Sequence, residues 1–166
     1  MPIRTVTMIG AGRVATHLGL RLNKRGVEVR QVYSRTLTSA EKLAVRLGSI
    51  SVDQISELDG SSDLFIISVV DDAIQQVAEQ LTTNEKIVVH TSGSVPLDLL
   101  RSASVHYGVL YPLQSFTHGR QVDFSDIPLC IEASDEATKT RLLALAGKLS
   151  HDVRLIDSSQ RASIHL

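Results

Sequence analysis

Residues 5–22 read TVTMIGAGRVATHLGLRL. An apolar, strand-like run, Val6–Ile9, ends on Gly10, and a pattern with Val14, Leu18 and Leu22 on one helical face begins just past Gly12. A strand that passes through two glycines straight into a helix commits the chain to a β-turn-α unit. The spacing Gly10-Ala11-Gly12-Arg13-Val14-Ala15 has a physical meaning at each fixed position. Gly10 permits the tight turn, Gly12 lets a pyrophosphate approach the backbone, and Ala15 lets the helix pack close to the strand. Free N–H groups of the first helical turn and the helix dipole then favour an anion.

The rest of the chain repeats the alternation. A helix over Val14–Lys24 stops at Gly26, and Val27–Tyr33 has the two-residue period of a strand. Thr38 or Ser39 opens a helix with Ala40, Leu43, Ala44 and Leu47 on one face, and Ile50 and Val52 mark a third strand. Leu64–Val70 is nearly unbroken apolar sequence, as in parallel strands covered on both faces. Asp71 or Asp72 reads as the cap of the helix carrying Ile74, Val77, Ala78 and Leu81. Strands at Ile87–Val89, Val105–Leu110, Pro128–Ala133 and Val153–Ile156, a helix at Glu136–Leu149 and one opening at Ser158 or Ser159 complete the series. The expected fold class is α/β, doubly wound around a mainly parallel sheet.

In such folds ligands sit beyond the carboxyl ends of the strands. At the end of the second strand, where NAD-binding domains place a carboxylate, this chain has Tyr33-Ser34-Arg35-Thr36. A guanidinium flanked by hydroxyls suits the 2′-phosphate of NADP, so NADP(H) is expected over NAD(H), with Ser34, Arg35 and Thr36 reading it. Arg13 either touches the pyrophosphate or faces water. The backbone of Val69, Val70 and Asp71 is expected along the ribose and nicotinamide. Ser92 and Gly93 after the fifth strand, and Tyr111 and Gln114 after the sixth, are the candidate substrate residues. Tyr111 can equally pack with its hydroxyl on water. Ser94 reads as a cap ahead of Pro96, and neither Ser92 nor Ser94 has the glycine that a nucleophile elbow requires before it. The segment Tyr111–Asp126 is the longest irregular stretch, and Arg120 within it is either an anion clamp or a surface residue.

With 166 residues, the chain is long enough for one domain with a real core. Its net charge of −1 gives no electrostatic reason to expect nucleic acid or a membrane surface as partner. One cysteine, Cys130, excludes an intrachain disulfide, fits a reducing cytosol and reads as a small core residue. No signal peptide or membrane-spanning stretch is visible, and the six scattered histidines do not suggest a metal site.

IGAGRVATHL (9–18), YSRT (33–36), DLFIISVVDDAI (63–74), VVHTSGSVPLDLL (88–100), GVLYPLQSF (108–116) and IDSSQRASIHL (156–166) together carry a resemblance. The chain resembles the N-terminal, Rossmann-fold domain of bacterial NADP oxidoreductases that carry a helical C-terminal domain of unknown function. More distantly it is similar to pyrroline-5-carboxylate reductases, 3-hydroxyisobutyrate-type dehydrogenases and deazaflavin-dependent NADP reductases. The resemblance implies a two-domain enzyme in which the helical part forms a homodimer and closes over the nicotinamide. In such relatives a catalytic Lys often lies on that part. On this reading residues 1–157 are the NADP-binding domain, residues 158–166 begin a linker helix, and the 166 residues alone are inactive, with no catalytic residue assigned. The alternative is a non-catalytic NADP-binding or sensing module. A phosphoryl-type transferase would need a phosphate-handling Lys or a carboxylate cluster, and neither is apparent.

Overall fold

All four residues of Leu64–Ile67 are apolar and buried, as expected of a strand with helices over both faces. Around it the computed structural model, which describes residues 1–83, 85–114 and 123–165, builds an eight-stranded sheet. In chain order the first half holds β1 (Thr5–Ile9), α1 (Arg13–Lys24), β2 (Glu28–Tyr33), α2 (Leu37–Leu47), β3 (Ile50–Val52), β4 (Leu64–Ile67) and α3 (Asp71–Gln80). The second holds β5 (Ile87–His90), β6 (His106–Pro112), β7 (Leu129–Ala133), α4 (Glu136–Leu149), β8 (Val153–Leu155) and α5 (Ser158–His165).

The strand order is β3-β2-β1-β4-β5-β6-β7-β8. The order reverses between β1 and β4, so their carboxyl ends open a crevice between the two halves. The strands β3 to β6 are parallel along that order, β7 runs against β6, and β8 is parallel to β7. The reversal follows from where the chain re-enters: Leu129, the first residue of β7, pairs with Pro112, the last of β6. Apolar faces of α1, α2 and α4, including Leu18, Leu43 and Leu142, cover one side of the sheet. Ile74 and Val77 of α3, with Leu100, cover the other. Cys130 is buried in β7.

Several local expectations are corrected. The β4 strand ends at Ile67, short of Val70, which is 73% exposed. Neither Asp71 nor Asp72 caps α3; Val70 holds that position and Asp71 is the first helical residue. The helix α2 starts at Leu37 behind Thr36, ahead of the expected Thr38 or Ser39, with no side-chain cap bond. The cap of α5 is Asp157 rather than a serine. Its carboxylate accepts from the Gln160 N–H at 2.8 Å, and the Gln160 side chain accepts from the Asp157 N–H at 2.9 Å, a reciprocal capping box. Among the described residues, no helix is long and apolar enough to cross a membrane.

Candidate functional site

Backbone hydrogen bonds carry the sheet pairing just past the strand ends: Gly10 N–H to Tyr33 C=O at 2.8 Å, Ser68 N–H to Ile9 C=O at 2.7 Å and Thr91 N–H to Ile67 C=O at 3.3 Å. Three turns, after β1, β4 and β5, are thereby held side by side. Gly10 has φ +124°, and a Cβ there would lie 2.0 Å from the Ser68 carbonyl oxygen, so only glycine fits. Gly12 is different. Its φ of −81° suits any residue, and a Cβ would meet nothing within 4 Å. Packing does not require glycine at position 12; the space in front of it is open.

That space belongs to a cleft of about 760 Å³, within the range of small-molecule and cofactor sites. The cleft runs along the carboxyl ends of the strands. Gly10, Ala11, Gly12, Arg13 and Val14 form one wall, with Ser34 and Arg35 beyond them and Val69, Val70 and Asp71 opposite. Ser92, Gly93, Tyr111 and Gln114 line its other end. Fourteen of the fifteen candidate residues therefore meet in one cavity; Thr36 does not line it and instead precedes α2. Arg120 lies outside the described residues.

Two helices begin at this cleft, with opposite electrostatics. The first turn of α1 carries no acidic residue, and its cap, Gly12, makes no side-chain bond, so its N–H groups remain open to an anion. The first turn of α3 carries Asp71 and Asp72, which already complement its dipole. An anionic ligand group is therefore drawn to α1.

The far end is built on hydroxyls. The Ser92 Oγ accepts from the N–H groups of Ser94 at 3.1 Å and Val95 at 3.0 Å, which makes Ser92 the organiser of the turn. Ser94, expected as a cap, instead donates its hydroxyl to Asp71 Oδ2 at 2.7 Å, tying the β5 turn to α3. Beneath them His90 is fully buried, and its Nδ1 accepts from the Ser92 N–H at 3.0 Å. Burial, and then the nearby Arg161 cation, push its pKa down to about 4, so the imidazole is neutral at ordinary pH.

The functional features missed in the sequence come from α5 and β7. Arg161 is 1% exposed, ion-pairs through Nη1 with Glu132 of β7 at 2.9 Å, and donates through Nη2 to the Val95 carbonyl. Glu132 also accepts from the Ser158 N–H at 2.9 Å and hydroxyl at 2.7 Å, so one carboxylate anchors the start of α5. One turn on, His165 Nδ1 lies 2.8 Å from the Tyr111 hydroxyl, and His165 joins the cleft lining. Arg161 and His165 stand four residues apart, the spacing of one helix face; that was the available signal. Among the described residues, no group of three or more His, Cys, Asp or Glu side chains is placed to hold a metal ion.

A parallel sheet with this order, a glycine turn at the crevice and an anion-receptive helix start define a Rossmann-type α/β domain, the fold of dinucleotide-binding proteins. The chain belongs to the Rossmann-like domain family, whose model matches residues 2–113. No curated protein matches its sequence. Among solved structures it is 37% identical to a provisionally assigned NADP oxidoreductase from Bacteroides fragilis, with a TM-score of 0.89 over 98% of this chain and 64% of that one. An imine reductase from Myxococcus stipitatus in complex with NADP+ is 22% identical, with a TM-score of 0.69 over 96% of this chain and 57% of that one. A pyrroline-5-carboxylate reductase from Coxiella burnetii is 16% identical, with a TM-score of 0.73 over 92% of this chain and 58% of that one. The last two similarities speak to the fold alone. In each case this chain spans less than two thirds of the relative's length.

Proposed function

We propose that this chain is the dinucleotide-binding domain of an NADP-dependent oxidoreductase, acting by hydride transfer to or from a small molecule. The observation that carries the reading is the open space at Gly12, where the protein itself has no use for a missing side chain and a pyrophosphate has. The residues present fit such a cofactor. Gly10 to Val14 and the start of α1 would hold the pyrophosphate, with the exposed Arg13 adding positive charge. Ser34 and Arg35 would take the 2′-phosphate, and among the described residues that line the cleft the one carboxylate, Asp71, belongs to the opposite wall. The edge formed by Val69, Val70 and Asp71 would lie along the nicotinamide half, with substrate against Ser92, Gly93, Tyr111 and Gln114. When bound, the nicotinamide supplies the redox chemistry; the protein supplies position and protons.

The same reading divides the chain into a cofactor domain, residues 1–157, and a helix from residue 158 leading toward a helical part that dimerises. The greater length of the Bacteroides fragilis protein supports that division. Gly12→Ala tests the cofactor site. The variant is expected to keep the melting temperature of the parent, because its Cβ meets no protein atom, and to lose dinucleotide binding. Unchanged NADPH affinity in a folded Gly12→Ala protein would exclude the glycine turn as the phosphate site.

A further inference from the structure

Four features converge on one pair of side chains at the far end of the cleft. Tyr111, the penultimate residue of β6, and His165, near the end of α5, are 54 positions apart and share a 2.8 Å contact between hydroxyl and Nδ1. Their rings meet edge to face, with centroids 5.6 Å apart and planes at 75°. Gly93 makes room for the pair, since a Cβ there would lie 2.3 Å from His165 Nδ1 and 2.8 Å from Tyr111 Cζ. The buried Arg161, one turn earlier on the same helix face, fixes α5 to Glu132 and the Val95 carbonyl. Burying a guanidinium is costly and is tolerated only with good partners. Here that anchor aims His165 at Tyr111.

We propose that Tyr111 is the acid–base residue of the oxidoreductase, that His165 positions it and relays its proton, and that the substrate is an aldehyde or ketone. The inference rests on the NADP-oxidoreductase reading above. A hydride delivered to a carbonyl carbon pushes the C=O π pair onto oxygen, and that oxygen needs a proton. The Tyr111 hydroxyl donates it, and His165 passes its Nδ1 proton to the phenolate as its Nε2 takes one from solvent, so the ring carries no net charge change. The balance is carbonyl plus reduced cofactor plus one proton to alcohol plus oxidised cofactor. Oxidation of the alcohol runs the same steps backward. Ser92, two residues past His90, lines the same end of the cleft as Tyr111. Its Oγ already accepts two N–H groups, which leaves its own proton free to hold the same oxygen.

The surroundings suit an acid. Burial pushes the Tyr111 phenol up, the neighbouring Cys130 and Asp71 add to this, and Arg161 opposes it. The phenol therefore keeps its proton at neutral pH. In the oxidative direction the same group must be ionised to act as base, so oxidation is favoured at alkaline pH.

The turnover test uses the full-length gene product, with NADPH and a panel of aldehydes, ketones and 2-oxo acids. Tyr111→Phe is expected to lower turnover by about a hundredfold or more, the usual contribution of a positioned acid, to leave the NADPH dissociation constant unchanged, and to abolish the fall in reduction rate at high pH. His165→Ala should keep that alkaline limb but displace it, and His165→Gln, which retains an N–H donor, should restore it. A second readout needs neither cofactor nor substrate. The chain has three tyrosines and no tryptophan, so tyrosinate absorbance reports Tyr111 directly, as the component lost in Tyr111→Phe. That component is expected to shift to higher pH in His165→Ala and to return in His165→Gln. A tyrosinate titration indifferent to His165, or a Tyr111→Phe enzyme as fast as its parent, overturns the dyad while leaving the cofactor reading intact. NADPH-loaded protein that reduces no carbonyl overturns the substrate class. Failure of the parent to bind any dinucleotide overturns the underlying reading instead.

Discussion

Gly10 and Gly12 are the same residue type answering to different demands. At Gly10 the positive φ and the Ser68 carbonyl exclude a side chain on structural grounds; at Gly12 only a ligand would. Gly10→Ala is therefore expected to unfold the protein or lower its yield, whereas Gly12→Ala melts like the parent and binds no dinucleotide. Differential scanning calorimetry beside a binding titration separates the two. His90 makes a second residue-scale prediction. Burial, reinforced by Arg161, takes its pKa from 6.5 down to about 4 in the folded state. Between these values the unfolded chain binds the extra proton, so stability falls as pH drops through that window, by up to about 3 kcal/mol for a shift of this size. Denaturant midpoints measured across the window should fall steeply in the parent. They should fall less in His90→Asn, whose amide oxygen can still accept the Ser92 N–H.

Helix ends carry the element-scale predictions. Asp135 caps α4, accepting from the Thr138 N–H at 2.7 Å, from the Thr138 hydroxyl at 2.9 Å and bonding His106 Nδ1 at 2.8 Å. Partial burial would raise its pKa, but the bonds from His106 and Thr138 outweigh this and hold it at about 2. Asp135→Ala should cost roughly 1 kcal/mol, or about 2–4 °C in melting temperature for a domain of this size. At α5, Arg161→Met removes the cation that pairs with the partly buried Glu132. Stranding such a charge costs about 3–5 kcal/mol, and amide exchange in α5 is expected to rise with it.

These ends also mark how far the sequence could be read. Apolar runs bounded by glycines, such as Leu64–Ile67 and the stretch ending at Gly10, announce strands because burial on both faces demands unbroken hydrophobicity. The helix faces of α1 and α2 follow from local periodicity in the same way. Caps were harder, since Asp157, Ser158 and Ser159 all have suitable side chains and only the reply from Gln160 decides among them. The antiparallel β7 was hidden because the direction of pairing depends on where the chain re-enters the sheet. The candidate cofactor residues were legible because one strand-turn-helix unit brings Gly10 to Val14 together. The Tyr111–His165 and Glu132–Arg161 contacts were not, because each joins elements far apart in the chain that no local pattern connects.

For the molecule as a whole, the doubly wound sheet gathers the ends of β1, β2, β4, β5 and β6 into one elongated cleft with distinct halves. One half offers open backbone N–H groups with Arg13 and Arg35 and no carboxylate in the first turn of α1. The other offers hydroxyls, Asp71 and the Tyr111–His165 pair. An asymmetric cleft of this kind suits a long ligand with its phosphates at one end and its reactive group at the other. We propose that this ligand is NADP, read at its 2′-phosphate by Arg35. Equilibrium titration of parent and Arg35→Ala with NADPH and NADH tests it most directly. Losing a charge-assisted contact worth about 1.5–3 kcal/mol should weaken NADPH roughly 10- to 100-fold and leave NADH nearly unchanged, collapsing the parent's preference for NADPH. A parent that binds NADH more tightly, or an Arg35→Ala variant that loses both cofactors equally, would contradict the account.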